Sequence, residues 1–172
     1  MRLENIIEEL PDFAVDIKLN AKSLLNSAIL NEKQKMIIFT ACSFASKNKT
    51  LLNATLETAK DVLDESELTA AKIAGTLMSM TNVYYRFTHL VSNSEYSKMP
   101  AGLRMNGMAP AKHGINQVDF ELASTAVSAL NGCGMCMDSH EQNLKKHNVE
   151  SNIIQEAVKI ASTINSLSVI LD

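Results

Sequence analysis

DFELASTAVSALNGCGMCMDSHEQNLKKH, residues 119–147, sets a Cys-x-x-Cys pair between two helical patterns. Ahead of the pair, Leu122, Ala126, Val127 and Leu130 follow a helical repeat, with Asp119 as the N-cap candidate. Asn131-Gly132 breaks that run. A second helix opens at or just before Cys133 and reaches about His147. A thioredoxin-type domain needs alternating strands before such a motif, and none can be read here. The expectation is an all-α chain.

The flanking sequence agrees. Residues 12–29 carry Phe13, Ile17, Leu24, Leu25 and Ile29 close to a helical spacing, with Pro11 at a position that a first turn tolerates. Asn31 followed by Gln34 reads as an N-cap with its capping-box partner. The helix it opens runs through Met36, Ile37, Phe39 and Phe44 to about Lys47. A short helix covers 49–63, and Ser66 is the N-cap candidate for a long one through Ile73, Leu77, Met80 and Tyr84. Pro100, Gly102, Gly107, Pro110 and Gly114 then mark 91–118 as a long connection, a kind of segment that is usually functional or flexible. The last helix runs from Ser151 through Ile154, Val158, Ala161 and Ile164 to Leu171.

An offset of 87 residues aligns Lys72-Ile73-Ala74, Thr76 and Ser79 with Lys159-Ile160-Ala161, Thr163 and Ser166. The preceding helices correspond in order, with Gln34 falling on Glu121 and Ser46 on Cys133. This reads as one domain, 1–172, built from two copies of a three-helix unit, about 31–90 and 119–172, joined by the connection 91–118. Only the second copy keeps reactive residues.

Composition narrows the function. The chain has 172 residues, with 16 Lys plus Arg against 19 Asp plus Glu, a net charge of −3. That balance offers no broad basic face for nucleic acid. Six Gly and three Pro are few for a sheet-rich fold with many tight turns. No run of about 18 uncharged apolar residues could span a membrane. The N-terminus, MRLENIIEELPDF, lacks the apolar stretch of a signal peptide, so a cytoplasmic location is expected. Three cysteines, an odd number, suit no secreted disulfide scaffold.

Cys133 at a helix start and Cys136 one turn inside share a face, about 5–6 Å apart, close enough for their sulfurs to join. The helix N-terminus favours a thiolate, and by that argument alone Cys133 is the better one. His140, four residues beyond Cys136, is placed to take or give a proton there. Glu121 reaches this set only if the Cys136 helix folds back along its own, since twelve residues of helix span about 18 Å. Two other readings stay open. A zinc-binding helical module would use Cys133, Cys136 and His140, but zinc wants a fourth ligand that the sequence does not supply. A lyase could use Glu121 and His140 as acid and base without needing either thiol. Cys42, among Ala41, Phe44 and Ala45, reads as a buried inert thiol. His147, beside Lys145-Lys146 near a helix end, reads as structural, and His89 and His113 pair with no motif. Met99, Met105 and Met108 offer a contact surface in the connection.

Phe120-Glu121-Leu122, then Ala126-Val127-Ser128-Ala129, then Asn131-Gly132-Cys133, Cys136 and His140-Glu141 resemble the alkyl hydroperoxidase D family, the thiol branch of the carboxymuconolactone decarboxylase-like superfamily. Gly102-Leu103-Arg104-Met105-Asn106 is similar to that family's loop segment. The resemblance covers about 102–147, and Glu-x11-Cys-x-x-Cys-x3-His is far more specific than Cys-x-x-Cys alone. It implies an all-α, internally duplicated helical bundle, commonly a homotrimer. It also implies an antioxidant thiol–disulfide oxidoreductase with peroxidase activity on organic hydroperoxides and no bound cofactor. Electrons would come from the dihydrolipoyl group of a lipoylated 2-oxoacid dehydrogenase component and pass to an alkyl hydroperoxide reductase C-type peroxiredoxin. By the same resemblance, Cys136 forms the sulfenic acid and Cys133 is the proton-donating and resolving cysteine. Cys133 and Cys136 form the redox-active disulfide, and Glu121 and His140 form a proton relay. Family members often carry His between the cysteines, where this chain has Met135. A decarboxylase-like lyase of the same superfamily is the alternative activity.

Overall fold

A computed structural model describes residues 1–171, and among them there are ten α-helices and no strand. They are α1 (Leu3–Glu8), α2 (Val15–Asn26), α3 (Glu32–Ala45), α4 (Lys49–Ala59), α5 (Glu65–Leu90), α6 (Glu95–Lys98), α7 (Pro110–His113), α8 (Gln117–Leu130), α9 (Gly134–Lys146) and α10 (Ser151–Ile170). Single 3₁₀ turns cover Asp12–Ala14 and Asn106–Met108. None of the described helices is long and apolar enough to cross a membrane.

The centre is a bundle of α3, α5, α8 and α10. Residues 35–43 of α3 and 120–128 of α8 are buried without interruption. A helix covered all round needs small or apolar residues on every face, and α8 supplies them as Leu122, Ala123, Ser124, Ala126 and Val127. Lys35, buried with them, is tied by its Nζ to the Leu25 carbonyl at 2.7 Å and to Glu32 at 2.9 Å. Outside this bundle α4 packs on α3 and α1 on α4, α2 packs on α10, and α9 packs on α8 and α5. Glu32, Lys49 and Glu65 open α3, α4 and α5; Gln117, Gly134 and Ser151 open α8, α9 and α10, at offsets of 85, 85 and 86. Asp172, the last residue of the expected second copy, lies outside the described residues.

The helix starts correct the sequence reading in two places. Asp64, not Ser66, caps α5, in a capping box with Glu67. Asn116, not Asp119, caps α8, its side chain accepting from the Val118 amide at 2.8 Å. Asn31 and Gln34 form the expected capping box at α3, which ends at Ala45, two residues short of Lys47. The expected helix 12–29 is a 3₁₀ turn followed by α2, and two members of its apolar repeat, Phe13 and Ile29, are exposed. The connection 91–118 is not featureless: it holds α6, the turn 106–108 and α7.

Two glycines set the geometry that matters for the site. Gly132 takes φ +68, the left-handed conformation that lets α8 turn sharply into α9. A Cβ at Gly107 would lie 3.0 Å from Ile73 and from Leu77, so its absence seats the turn 106–108 against α5.

Candidate functional site

α9 folds back along α8, the arrangement that contact between Glu121 and His140 requires. Cys133 is the N-cap of α9: its Sγ lies 3.3 Å from the Cys136 amide nitrogen, as the acceptor of that N–H. Cys133 and Cys136 are joined in a disulfide, with Cα atoms 5.3 Å apart. The i, i+3 spacing on the first turn of a helix is what brings the two sulfurs together. The two are not equally accessible. Cys133 is 0% exposed, whereas Cys136 is 7% exposed and lines a pocket.

That pocket has a volume of about 280 Å³. α5 lends it Met78, Thr81 and Tyr85; α9 lends Met135, Cys136, Ser139 and His140; the turn at 106–108 and the residue before it lend Met105 and Met108. Four methionines give its wall apolar thioether, with a phenol, two hydroxyls and an imidazole among them. This suits a small, largely apolar molecule that carries one polar reacting group. Met135, between the two cysteines, stands on the pocket wall.

Glu121 and His140 are both buried, at 3% and 5% exposure. Glu121 Oε2 and His140 Nδ1 are 2.6 Å apart. Glu121 Oε1 accepts from Gln117 Nε2 at 2.8 Å. A carboxylate with both oxygens engaged makes Nδ1 of the imidazole the donor and leaves Nε2 turned away from Glu121. Nε2 lies 3.2 Å from Met78 Sδ, an acceptor that it bonds only when it carries a proton, at the pocket that Cys136 also lines. The four residues singled out in the sequence are thus brought to one place. Among the described residues, no group of three or more His, Cys, Asp or Glu is arranged to hold a metal ion.

Several site residues carry no signal in the sequence. Met78 and Tyr85 lie on a helix far from the cysteines in sequence. Asn82 Nδ2 donates to Ser128 Oγ at 3.0 Å, and Asn82 Oδ1 accepts from Asn131 Nδ2 at 3.0 Å. Arg86 adds a bond to the Asn131 carbonyl at 2.7 Å. Together they pin the α8–α9 turn, and so the position of Cys133, to α5. A buried Asn on the apolar face of a helix is the one readable hint. His113, which pairs with no motif in the sequence, is paired in the structure. It is buried, stacks on Phe120 with ring centroids 4.1 Å apart, and bonds to Gln117 through Nε2 at 3.2 Å. Cys42 is a free, fully buried thiol whose pKa burial pushes up, as expected for an inert core cysteine.

The sequence profile of the carboxymuconolactone decarboxylase family matches residues 94–170. The chain is 46% identical over 172 residues to "Alkyl hydroperoxide reductase AhpD" of Brucella canis, covering 100% of this chain and 97% of that protein. It is 46% identical over 172 residues to the protein of that name in Bradyrhizobium sp., covering 100% of this chain and 94% of that one. The Hyphomonas neptunium protein of that name is 47% identical over 171 residues, 99% of this chain and 94% of its own. Identity of this order, end to end, is far beyond what a shared helical architecture requires. With a Cys-x-x-Cys disulfide opening onto a pocket, it means that the chain belongs to the AhpD family of alkyl hydroperoxide reductase enzymes.

Proposed function

We propose that this protein reduces organic hydroperoxides by cycling Cys133 and Cys136 between dithiol and disulfide. We also read it as the carrier of electrons from a dihydrolipoyl group to an alkyl hydroperoxide reductase C-type peroxiredoxin. The observation that carries the reading is the Cys133–Cys136 disulfide, with Cys136 on a pocket that His140 shares. In the first step the Cys136 thiolate attacks the distal peroxide oxygen. An S–O bond forms, the O–O bond breaks, and the alcohol leaves with a proton from His140 Nε2. The Cys133 thiol then attacks Sγ of the Cys136 sulfenic acid. The disulfide forms and water leaves, taking the Cys133 proton. A dihydrolipoyl dithiol restores both thiols by two exchange steps and becomes the cyclic disulfide. The regenerated Cys133–Cys136 dithiol can instead reduce a peroxiredoxin disulfide, passing on the same two electrons and returning to the disulfide.

Cys136 takes the peroxide in this scheme, although the helix terminus alone favours a Cys133 thiolate. Its place on the pocket and its i, i+4 relation to His140 support that choice. The donor is a lipoylated 2-oxoacid dehydrogenase component, which puts the protein in the cytoplasm. The assembly is a homotrimer. Met80, Val83, Phe87 and Leu90 support an oligomer, as an exposed apolar row with helical spacing on α5. We read α3–α4–α5 and α8–α9–α10 as two copies of one unit, the second of which kept the chemistry.

The reading is tested by titrating thiols in the reduced, then denatured, protein. Three cysteines are expected to fall to one, Cys42, after an equivalent of tert-butyl hydroperoxide. Cys136→Ser should abolish dihydrolipoamide-dependent peroxide turnover. Three thiols surviving in the wild type would end the proposal. Activity on a lactone that survives Cys133→Ser and Cys136→Ser would favour a lyase instead.

A further inference from the structure

Gln117 and His113 extend the Glu121–His140 pair into a hydrogen-bonded chain whose direction can be read from its outer end. The Ile115 amide lies 3.3 Å from His113 Nδ1 and donates to it. Nδ1 is therefore the unprotonated nitrogen, and Nε2 carries the hydrogen. Nε2 donates to Gln117 Oε1 at 3.2 Å, which turns the Gln117 amide so that its NH₂ faces Glu121. That NH₂ donates to Glu121 Oε1 at 2.8 Å, leaving Oε2 for His140 Nδ1 at 2.6 Å. One main-chain N–H thus fixes a tautomer and an amide rotamer in turn, and the amide ties one oxygen of the carboxylate. Reversing His113 or Gln117 would set two donors or two acceptors against each other.

We propose that His113 and Gln117 are positioning residues for the dithiol reaction. They hold the Glu121 carboxylate as an acceptor toward His140 Nδ1, so that Nε2, at the pocket, is the nitrogen that takes the Cys136 proton and returns it to the leaving alkoxide. Neither residue lines the pocket. The connection between α5 and α8 therefore serves the site twice. It walls the pocket with Met105 and Met108, and it orients the proton-transfer pair from behind with His113. The ionisable residues on the pocket are Tyr85, Cys136 and His140, and Glu121 faces His140 from α8.

This rests on the dithiol reading above, and the test separates the two. His113→Phe keeps the stack on Phe120 but removes the donor to Gln117. His113→Gln gives up the ring but restores an N–H donor at similar reach. Gln117→Leu, at a half-buried position, breaks the chain without disturbing His113. Peroxide kinetics are read together with the pH dependence of Cys136 alkylation by iodoacetamide in the reduced protein, followed by peptide mass. Gln117→Leu and His113→Phe should lose about tenfold in kcat, a fraction of what a full acid–base group supplies. KM should change by less than about twofold, and the alkylation midpoint should move. His113→Gln should recover activity to within about threefold of wild type. An unmoved alkylation midpoint, or His113→Phe outperforming His113→Gln, overturns the proposal and leaves the pair a packing device. If the wild type fails to consume peroxide while the alkylation midpoint moves in Gln117→Leu and His113→Phe and returns in His113→Gln, the peroxide reading falls and the positioning role stands.

Discussion

Asp119 is a carboxylate under opposed forces. It occupies the third position of α8, where the helix end favours negative charge, and it accepts from Gln34 Nε2 of α3 at 2.9 Å. Partial burial outweighs these and raises its pKa above the ordinary value, with the charge of Glu67 adding to the rise. A carboxyl whose folded pKa lies above its unfolded one favours the fold when protonated, and that contribution is lost as pH rises through the folded value. Asp119→Asn keeps the oxygen that Gln34 bonds. It is expected to raise the melting midpoint at neutral pH by about 1–2 °C, the size of a partly solvated charge effect. The gain should close toward about pH 3, where the wild type is protonated too; a gain that persists there would contradict the assignment. At this scale the sequence exposed Glu121, Cys133, Cys136 and His140, because reactive residue types at fixed spacing stand out. It hid Gln117 and His113. They continue the i, i+4 row back from Glu121, but Gly114 and Asn116 end the helical pattern between them, so the row crosses a turn that periodicity cannot follow.

Helix ends show how local chemistry and tertiary demand compete. α3 stops at Ala45, and Lys47 follows with φ +63 before Asn48 caps α4. Asn148, just past α9, holds φ +59. A residue with a Cβ strains in this region, and Asn strains less than Lys. Lys47→Gly is expected to stabilise by about 0.5–1 kcal/mol after the entropy that glycine adds to the unfolded chain. For a chain of this size that is roughly 1–4 °C in Tm by circular dichroism, and Asn148→Gly should give less. An equal or larger gain at Asn148 would put the strain elsewhere. The same competition explains which starts were legible. Asn31-x-x-Gln34 stands alone in its stretch and is legible as a capping box. At α5 the pattern Asp64-x-x-Glu67 is a complete capping box, but Ser66 is also a cap type, two residues later. At α8 three polar residues, Asn116, Gln117 and Asp119, crowd the start, and only the backbone fold selects Asn116. The four-residue helices α6 and α7 were illegible because one turn contains no period.

Across the molecule, burial separates what the bundle needs from what it leaves uncovered. Met80, Val83, Phe87 and Leu90 form an outward row on α5, interleaved with the buried Thr81, Asn82 and Thr88 of its inner face. Phe87→Asp should therefore convert the expected trimer to a monomer in sedimentation velocity and leave the helical spectrum unchanged; a variant that stays assembled would move the interface elsewhere. The all-α architecture was legible as a whole, since both amphipathic spacing and scarce turn residues point one way. The exposure of Phe13 and Ile29 was not, because a repeat shows which residues share a face and not whether anything covers it. The pocket has a last consequence for how the chemistry can be inherited. Its reactive set comes from α8 and α9, but one wall is α5, through Met78, Thr81 and Tyr85. The segment 94–170, which carries the family profile, holds both sulfurs, Glu121 and His140 and still lacks that wall. The activity is therefore not portable as a cassette. Recombination that moved the second helix triplet alone would carry every reactive atom into its new host and leave the cavity behind.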